Sequence, residues 1–140
     1  FSEIELDLDA HLLIADTGIH GHTREAIKKV ESLGQEALPL LQELGNLTKI
    51  VEKAIQLKDL LTMGQAMTKA HGKLAQLGVS CQLSDDLVEQ ALENGALGAK
   101  MSGGGLGGCV IVLIKEKKEA EDLARLLREK GASNIWIESL

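Results

Sequence analysis

The stretch from Gly98 to Val110 reads GAKMSGGGLGGCV and places five glycines among the six residues Gly103 to Gly108. Glycine loses more backbone freedom on folding than any other residue, so such a run persists where the chain needs positive φ or close approach to its backbone. Successive unobstructed N–H groups can converge on an anion, which makes phosphate the ligand chemistry that suits these residues. A tight connection without a ligand is the alternative reading. The pattern is not a Walker A loop, because Lys100 precedes the glycines where GxxxxGK needs its lysine after them. Nor does it fit the dinucleotide fingerprint, since the apolar run VIVLI follows it in place of a helix.

Other reactive side chains are scattered. His20 and His22 flank Gly21 close to Asp16 in DTGIHGHT; two histidines and a carboxylate are metal-ligand types, but a solvated strand-to-helix turn explains them equally well, and no metal is assigned. His71 lies beside a Met67 to Leu74 stripe and reads as a helix-surface histidine, with a pocket-facing role as the alternative. Met63 and Met67 read as core filler. Cys81 and Cys109 have no metal-ligand spacing, and Cys109, just before the apolar run, has no histidine beside it in sequence, so burial is expected for it in place of nucleophilic chemistry. Glu3, Glu5, Asp7 and Asp9 form the wet side of an alternating segment. No pairing of acids stands out as a general base, and no catalytic residue is assigned.

The elements that must carry these groups follow from hydrophobic period. Glu3 to Asp9 alternates as a half-exposed strand would, and His11 to Ala15 suits a buried strand. Thr23 is placed to cap a helix TREAIKKVESL with Ala26, Ile27, Val30 and Leu33 on one stripe. Beyond Pro39, Leu40, Leu44, Leu47, Val51 and Ala54 recur at helical spacing. Leu60, Met63, Met67, Ala70, Leu74 and Leu77 repeat it after a break at Lys58 and Asp59, which predicts two antiparallel helices. A further helix is expected from Ser84, with Leu83 stapled against Val88, to a stop at Asn94 and Gly95. The run VIVLI reads as a strand buried on both faces, Lys117 to Lys130 as an amphipathic helix, and Ile135 to Ile137 as a closing strand. The sum is an α+β domain with a sheet of four strands and helices stacked on one side.

A chain of 140 residues supports one domain with a single sizeable core. That core must be aliphatic, because Phe1 and Trp136 are the only aromatic side chains. A formal charge of −6 without a basic stripe argues against nucleic acid or an anionic membrane surface as partner. The apolar run Val110 to Ile114 is too short to span a bilayer, and no signal-peptide pattern opens the chain at Phe1. With two cysteines at no framework spacing, a reducing cytoplasm is the expected compartment.

Taken together, three stretches resemble one family. GALGAKMSGGGLGGCVIVLI is similar to the third motif of the GHMP small-molecule kinases; LLIADTGIHGHTREAI and MTKAHGKLAQLGVS resemble the C-terminal domain of the mevalonate kinases among them, the bacterial type most closely. The resemblance continues through GASNIWIESL and so covers nearly the whole chain. It implies a ferredoxin-like small sheet with additional packed helices over residues 1–140. It also implies an N-terminal ATP-binding domain, absent from these residues, that supplies the catalytic groups and most contacts to ATP and Mg2+. The implied reaction transfers the γ-phosphoryl group of ATP to the 5-hydroxyl of mevalonate. Ser102, Gly103, Gly104 and Gly105 match the segment that closes on the phosphates, and Thr17 is implied as a neighbour of the acceptor substrate. Gly104 and Leu106 depart from the commonest residues of the motif, which leaves contacts beyond Gly105 open. The implied partner is the N-terminal kinase domain, and without it self-association through the uncovered cleft face is expected. Two alternatives stay open: another GHMP kinase such as phosphomevalonate kinase, against which MTKAHGKLAQLGVS argues, and a non-catalytic α+β module that binds a metabolite or a protein.

Overall fold

The structure, a computed structural model, describes residues 8–19, 22–102 and 108–140. Gly103, Gly104, Gly105, His20 and most of the alternating segment that starts at Glu3 lie outside the described residues.

Four strands, β1 (His11–Asp16), β2 (Gly98–Ser102), β3 (Cys109–Ile114) and β4 (Asn134–Ser139), form one antiparallel sheet in the order β2-β3-β1-β4. That order arises from two split βαβ units, the ferredoxin-like arrangement. Helices α1 (Thr23–Leu33), α2 (Ala37–Leu57), α3 (Leu60–Gln76) and α4 (Gln82–Glu93) occupy the first crossover, and α5 (Lys117–Glu129) the second. The α+β fold expected from the sequence is therefore present, with α1 to α3 as the additional helices.

Local chemistry explains the boundaries. Pro39 sits in the first turn of α2, where its missing N–H is not needed. Lys58 takes a left-handed φ of 55° to end α2, and the Asp59 carboxylate caps α3 by accepting from the Thr62 backbone N–H. Ala54 clusters with Met63 while Leu47 clusters with Ala66 and Ala70, so α2 and α3 run antiparallel as expected.

Three expectations need correction. Thr23 is the first residue of α1, and the cap position falls on His22, whose side chain makes no capping bond. Helix α4 starts before Ser84: Cys81 caps it in a reciprocal box with the Ser84 hydroxyl, which draws Leu83 inside the first turn. The helices also do not all stack on one side. Helices α4 and α5 pack through Leu87, Val88, Ala91, Leu123 and Leu127 onto the sheet face formed by Leu13, Ala15, Ala99, Val110, Val112 and Ile135. Met63, Met67 and Ala54 instead meet Leu113, which points to the opposite face because strand side chains alternate. The hairpin of α2 and α3 thus wraps the β2 edge of the sheet.

Each fully buried leucine or valine in the first of these layers contributes about 1.5–3 kcal/mol relative to exposure. Leu13, Leu87, Val110, Val112 and Leu127 are all solvent-inaccessible, so the sheet and its two helices form the stable base of the molecule.

Candidate functional site

The glycine-rich segment is rooted in two adjacent strand ends. Ser102 closes β2 and pairs in register with Cys109, which opens β3; Cys109 in turn lies opposite Asp16, the last residue of β1, and Asp16 opposite Asn134. Directly opposed residues share a face, so Ser102, Cys109, Asp16 and Asn134 form one row at the end of the sheet. The next row on that face is Lys100, Ile111, Ile14 and Trp136.

Thr17 ties the turn after β1 to the far root of the segment. Its backbone N–H and its hydroxyl both donate to the Gly108 carbonyl, at 3.0 and 2.8 Å, and Gly108 N–H donates to the Ile19 carbonyl at 2.8 Å. The same hydroxyl accepts from Ile19 N–H at 3.1 Å. Thr17 is buried while Gly108 and Ile19 are half-buried, so these bonds are partly shielded from water. Gly108 has φ 72° and Gly18 has φ 78°, and a side chain at Gly18 would crowd Ser133. Glycine is required at both places because the left-handed region penalises a Cβ. Asp16 shapes the same turn by accepting from Gly18 N–H at 2.8 Å.

The charges of the site follow from burial. Lys100 is half-buried, and desolvation lowers its pKa from the ordinary lysine value. Burial, reinforced by the Asp16 carboxylate, raises the pKa of the Cys109 thiol. The raised pKa favours the thiol over the thiolate at Cys109, and the residue is half-buried where burial was expected.

His71 departs from the expectation of a surface histidine. It is buried on α3, its Nδ1 accepts from Met101 N–H at 3.1 Å, and its Nε2 lies 2.8 Å from the Asp85 carboxylate of α4. The sequence signal for Lys100 was its place next to the glycines; for His71 there was only its spacing from the core stripe. Neither shows which backbone group the side chain will meet.

These residues fit a phosphate-bearing ligand in part. Ser102 offers a hydroxyl and Lys100 a cation on one face beside a glycine-rich connection, which is the donor chemistry a polyphosphate needs. Among the described residues no group of three or more His, Cys, Asp or Glu side chains could hold a metal ion, and no helix is long and apolar enough to cross a membrane.

Known proteins supply the remaining comparison. The profile of the family described as GHMP kinases C terminal matches residues 51–133. A mevalonate kinase of Aeropyrum pernix is 37% identical over 109 residues, a match that covers 75% of this chain and 34% of that protein. The crystal structure of L. major mevalonate kinase in complex with R-mevalonate superposes with a TM-score of 0.79 at 28% identity, covering 91% of this chain and 41% of that one. Streptococcus pneumoniae phosphomevalonate kinase superposes with a TM-score of 0.81 at 16% identity, a likeness of fold alone. The chain thus spans between a third and about two-fifths of the length of these relatives, at 34% and 41%.

Proposed function

Because this chain belongs to the GHMP kinases C-terminal family, we propose that it forms the C-terminal half of a mevalonate kinase and works with an N-terminal ATP-binding domain in the cytoplasm. ATP supplies the γ-phosphoryl group, and its acceptor is the 5-hydroxyl of mevalonate. Phosphoryl transfer depends on alignment and charge neutralisation more than on covalent chemistry from the protein. A half-domain that contributes alignment in place of a general base therefore has a part to play.

In this reading Ser102 donates its hydroxyl to a phosphate oxygen, and Lys100 offsets negative charge from the row beneath. Gly103, Gly104 and Gly105 let the backbone approach the phosphates closely, and Thr17 borders the acceptor by fixing the root of the segment at Gly108. Mg2+ retains waters and takes one or two carboxylates with the phosphates; the N-terminal domain is proposed to provide those carboxylates.

The observation that carries the proposal is the Thr17 to Gly108 clasp, which holds Gly108, the last glycine before β3, against the β1 turn on the same sheet end as Ser102. The test is ADP release from Mg-ATP by this chain joined to the ATP-binding domain, with R-mevalonate, phosphomevalonate and galactose offered in parallel. Turnover dependent on mevalonate is expected. Turnover only with one of the other acceptors would replace the substrate. Without the ATP-binding domain, the chain is expected to associate with itself in sedimentation at micromolar concentration, where a monomer throughout would refute the uncovered-face expectation.

A further inference from the structure

Among the described residues, strand β2 lies at one edge of the sheet and pairs with β3 on one side only. An edge strand presents a row of backbone N–H groups that must find partners elsewhere. Here α3 supplies them. Ala99 N–H donates to the Thr68 hydroxyl at 3.3 Å, and Met101 N–H donates to His71 Nδ1 at 3.1 Å. One turn earlier, Gly64 lies against Leu97 and Gly98 so closely that a Cβ on Gly64 or Gly98 would fall on the other segment's backbone.

Gly64, Thr68 and His71 stand at i, i+4 and i+7, which is one stripe of a helix. From Gly64 to His71 the helix rises about 10.5 Å. From Gly98 to Met101 the strand advances about 10 Å. The two spacings match, so the stripe follows the strand and takes the place of a neighbouring strand.

The last bond of the stripe is the one nearest the proposed site. Met101 immediately precedes Ser102, and its own side chain is buried in the opposite face. The donor at Met101 is a backbone N–H, so the ring nitrogen facing it must carry a lone pair. The proton of the neutral ring then sits on Nε2 and is donated to Asp85 Oδ1 at 2.8 Å. Asp85 thereby selects the tautomer, and α4, which is fixed in the core, is coupled through His71 to the end of β2.

We infer that His71 is a positioning residue whose Nδ1, by holding Met101 N–H, sets where Ser102 stands for phosphoryl transfer. The structural part rests on geometry alone; the kinetic part rests on the kinase reading above.

Two substitutions separate the functions of the ring. In His71→Asn the amide oxygen can replace Nδ1 as acceptor for Met101 while the link to Asp85 is lost. In His71→Gln the amide nitrogen can replace Nε2 as donor to Asp85 while the acceptor for Met101 is lost. Both variants are made in the intact two-domain protein, labelled with 15N-methionine and checked by thermal melting. His71→Gln is expected to speed exchange of the Met101 amide at least about tenfold and His71→Asn to leave it near wild type. Likewise kcat should fall about ten- to a hundredfold in His71→Gln, with KM for ATP changed less, and stay within about threefold in His71→Asn. Equal exchange in the two variants, or a kcat that falls only in His71→Asn, would overturn the inference. A wild-type protein without turnover on any of the three acceptors would sink the kinase reading, and the exchange comparison would still decide whether Nδ1 positions Met101.

Discussion

The two faces of the sheet are built for different tasks. On the face toward α4 and α5, Leu13, Ala15, Ala99, Val110, Val112 and Ile114 are completely buried. On the other face, near the glycine-rich segment, Lys100, Ser102, Cys109, Ile111, Ile14 and Asp16 are only half-buried, and Trp136 is 45% exposed. That partition separates the source of stability from the surface where the proposed site lies. A closely packed face fixes the strands, and the alternation of strand side chains then aims polar groups at a surface that a ligand or a second domain can reach.

The sharpest test of this contrast is Leu87→Ala, which removes a fully buried side chain from the packed face. A loss of about 2–5 kcal/mol is expected in chemical denaturation. A loss comparable to that of an exposed residue would break the comparison at its base.

Thr17→Val probes the boundary between the two tasks. It deletes the hydroxyl that donates to Gly108 and accepts from Ile19, which leaves the half-buried Ile19 N–H without this acceptor and the Gly108 carbonyl with only the Thr17 N–H. Destabilisation of about 1–3 kcal/mol is expected. Turnover of the proposed two-domain kinase should fall with it, because Gly108, at the root of the glycine-rich segment, loses one of its bonds to Thr17.

Lys100→Met separates the faces most cleanly. Turnover is expected to fall about tenfold, which corresponds to roughly 1.4 kcal/mol of lost transition-state stabilisation. Stability should hold at neutral pH or rise slightly. The folded pKa of Lys100 is lowered by desolvation from the ordinary value of 10.5, so folding disfavours its charged form. The penalty is complete below the lowered folded value. It is relieved as pH rises from that value towards the ordinary one, because the unfolded chain then binds more protons than the folded one. Wild-type stability should therefore gain a positive contribution with alkaline pH that Lys100→Met lacks, and denaturation at neutral and alkaline pH measures the difference.

The smallest effect is expected at Cys109→Ala. Its thiol is held protonated by burial and by Asp16, so turnover should stay within about twofold. A large loss would move Cys109 from the wall of the site into its chemistry.

Much of this organisation was legible in the residues. The recurrence of apolar side chains at three and four predicted α2, α3 and α5, because one stripe of each must be buried. VIVLI predicted β3 and HLLIA predicted β1, because unbroken apolar runs of that length are stable only inside a sheet. Strand β2 was not legible: GAKMS contains two weak strand formers, Gly98 and Lys100, and merged into the glycine-rich run. Its extended form is imposed by β3 on one side and by α3 on the other. The cap at Cys81 was also obscure, since a thiol is a poor acceptor and its partner Ser84 read as the start of the helix. His71 could be located in sequence beside the core stripe but not connected to Met101, 30 residues away.

The sequence by itself determined the kinds of element and the presence of a glycine-rich stretch between two of them, because these depend on short-range period and backbone freedom. Only the tertiary structure decided which face of the sheet is closed and that Thr17 clasps Gly108. It also decided that a helix takes the place of a missing strand beside β2. Those relations depend on register and on hydrogen bonds between residues far apart in the chain, which no local pattern encodes.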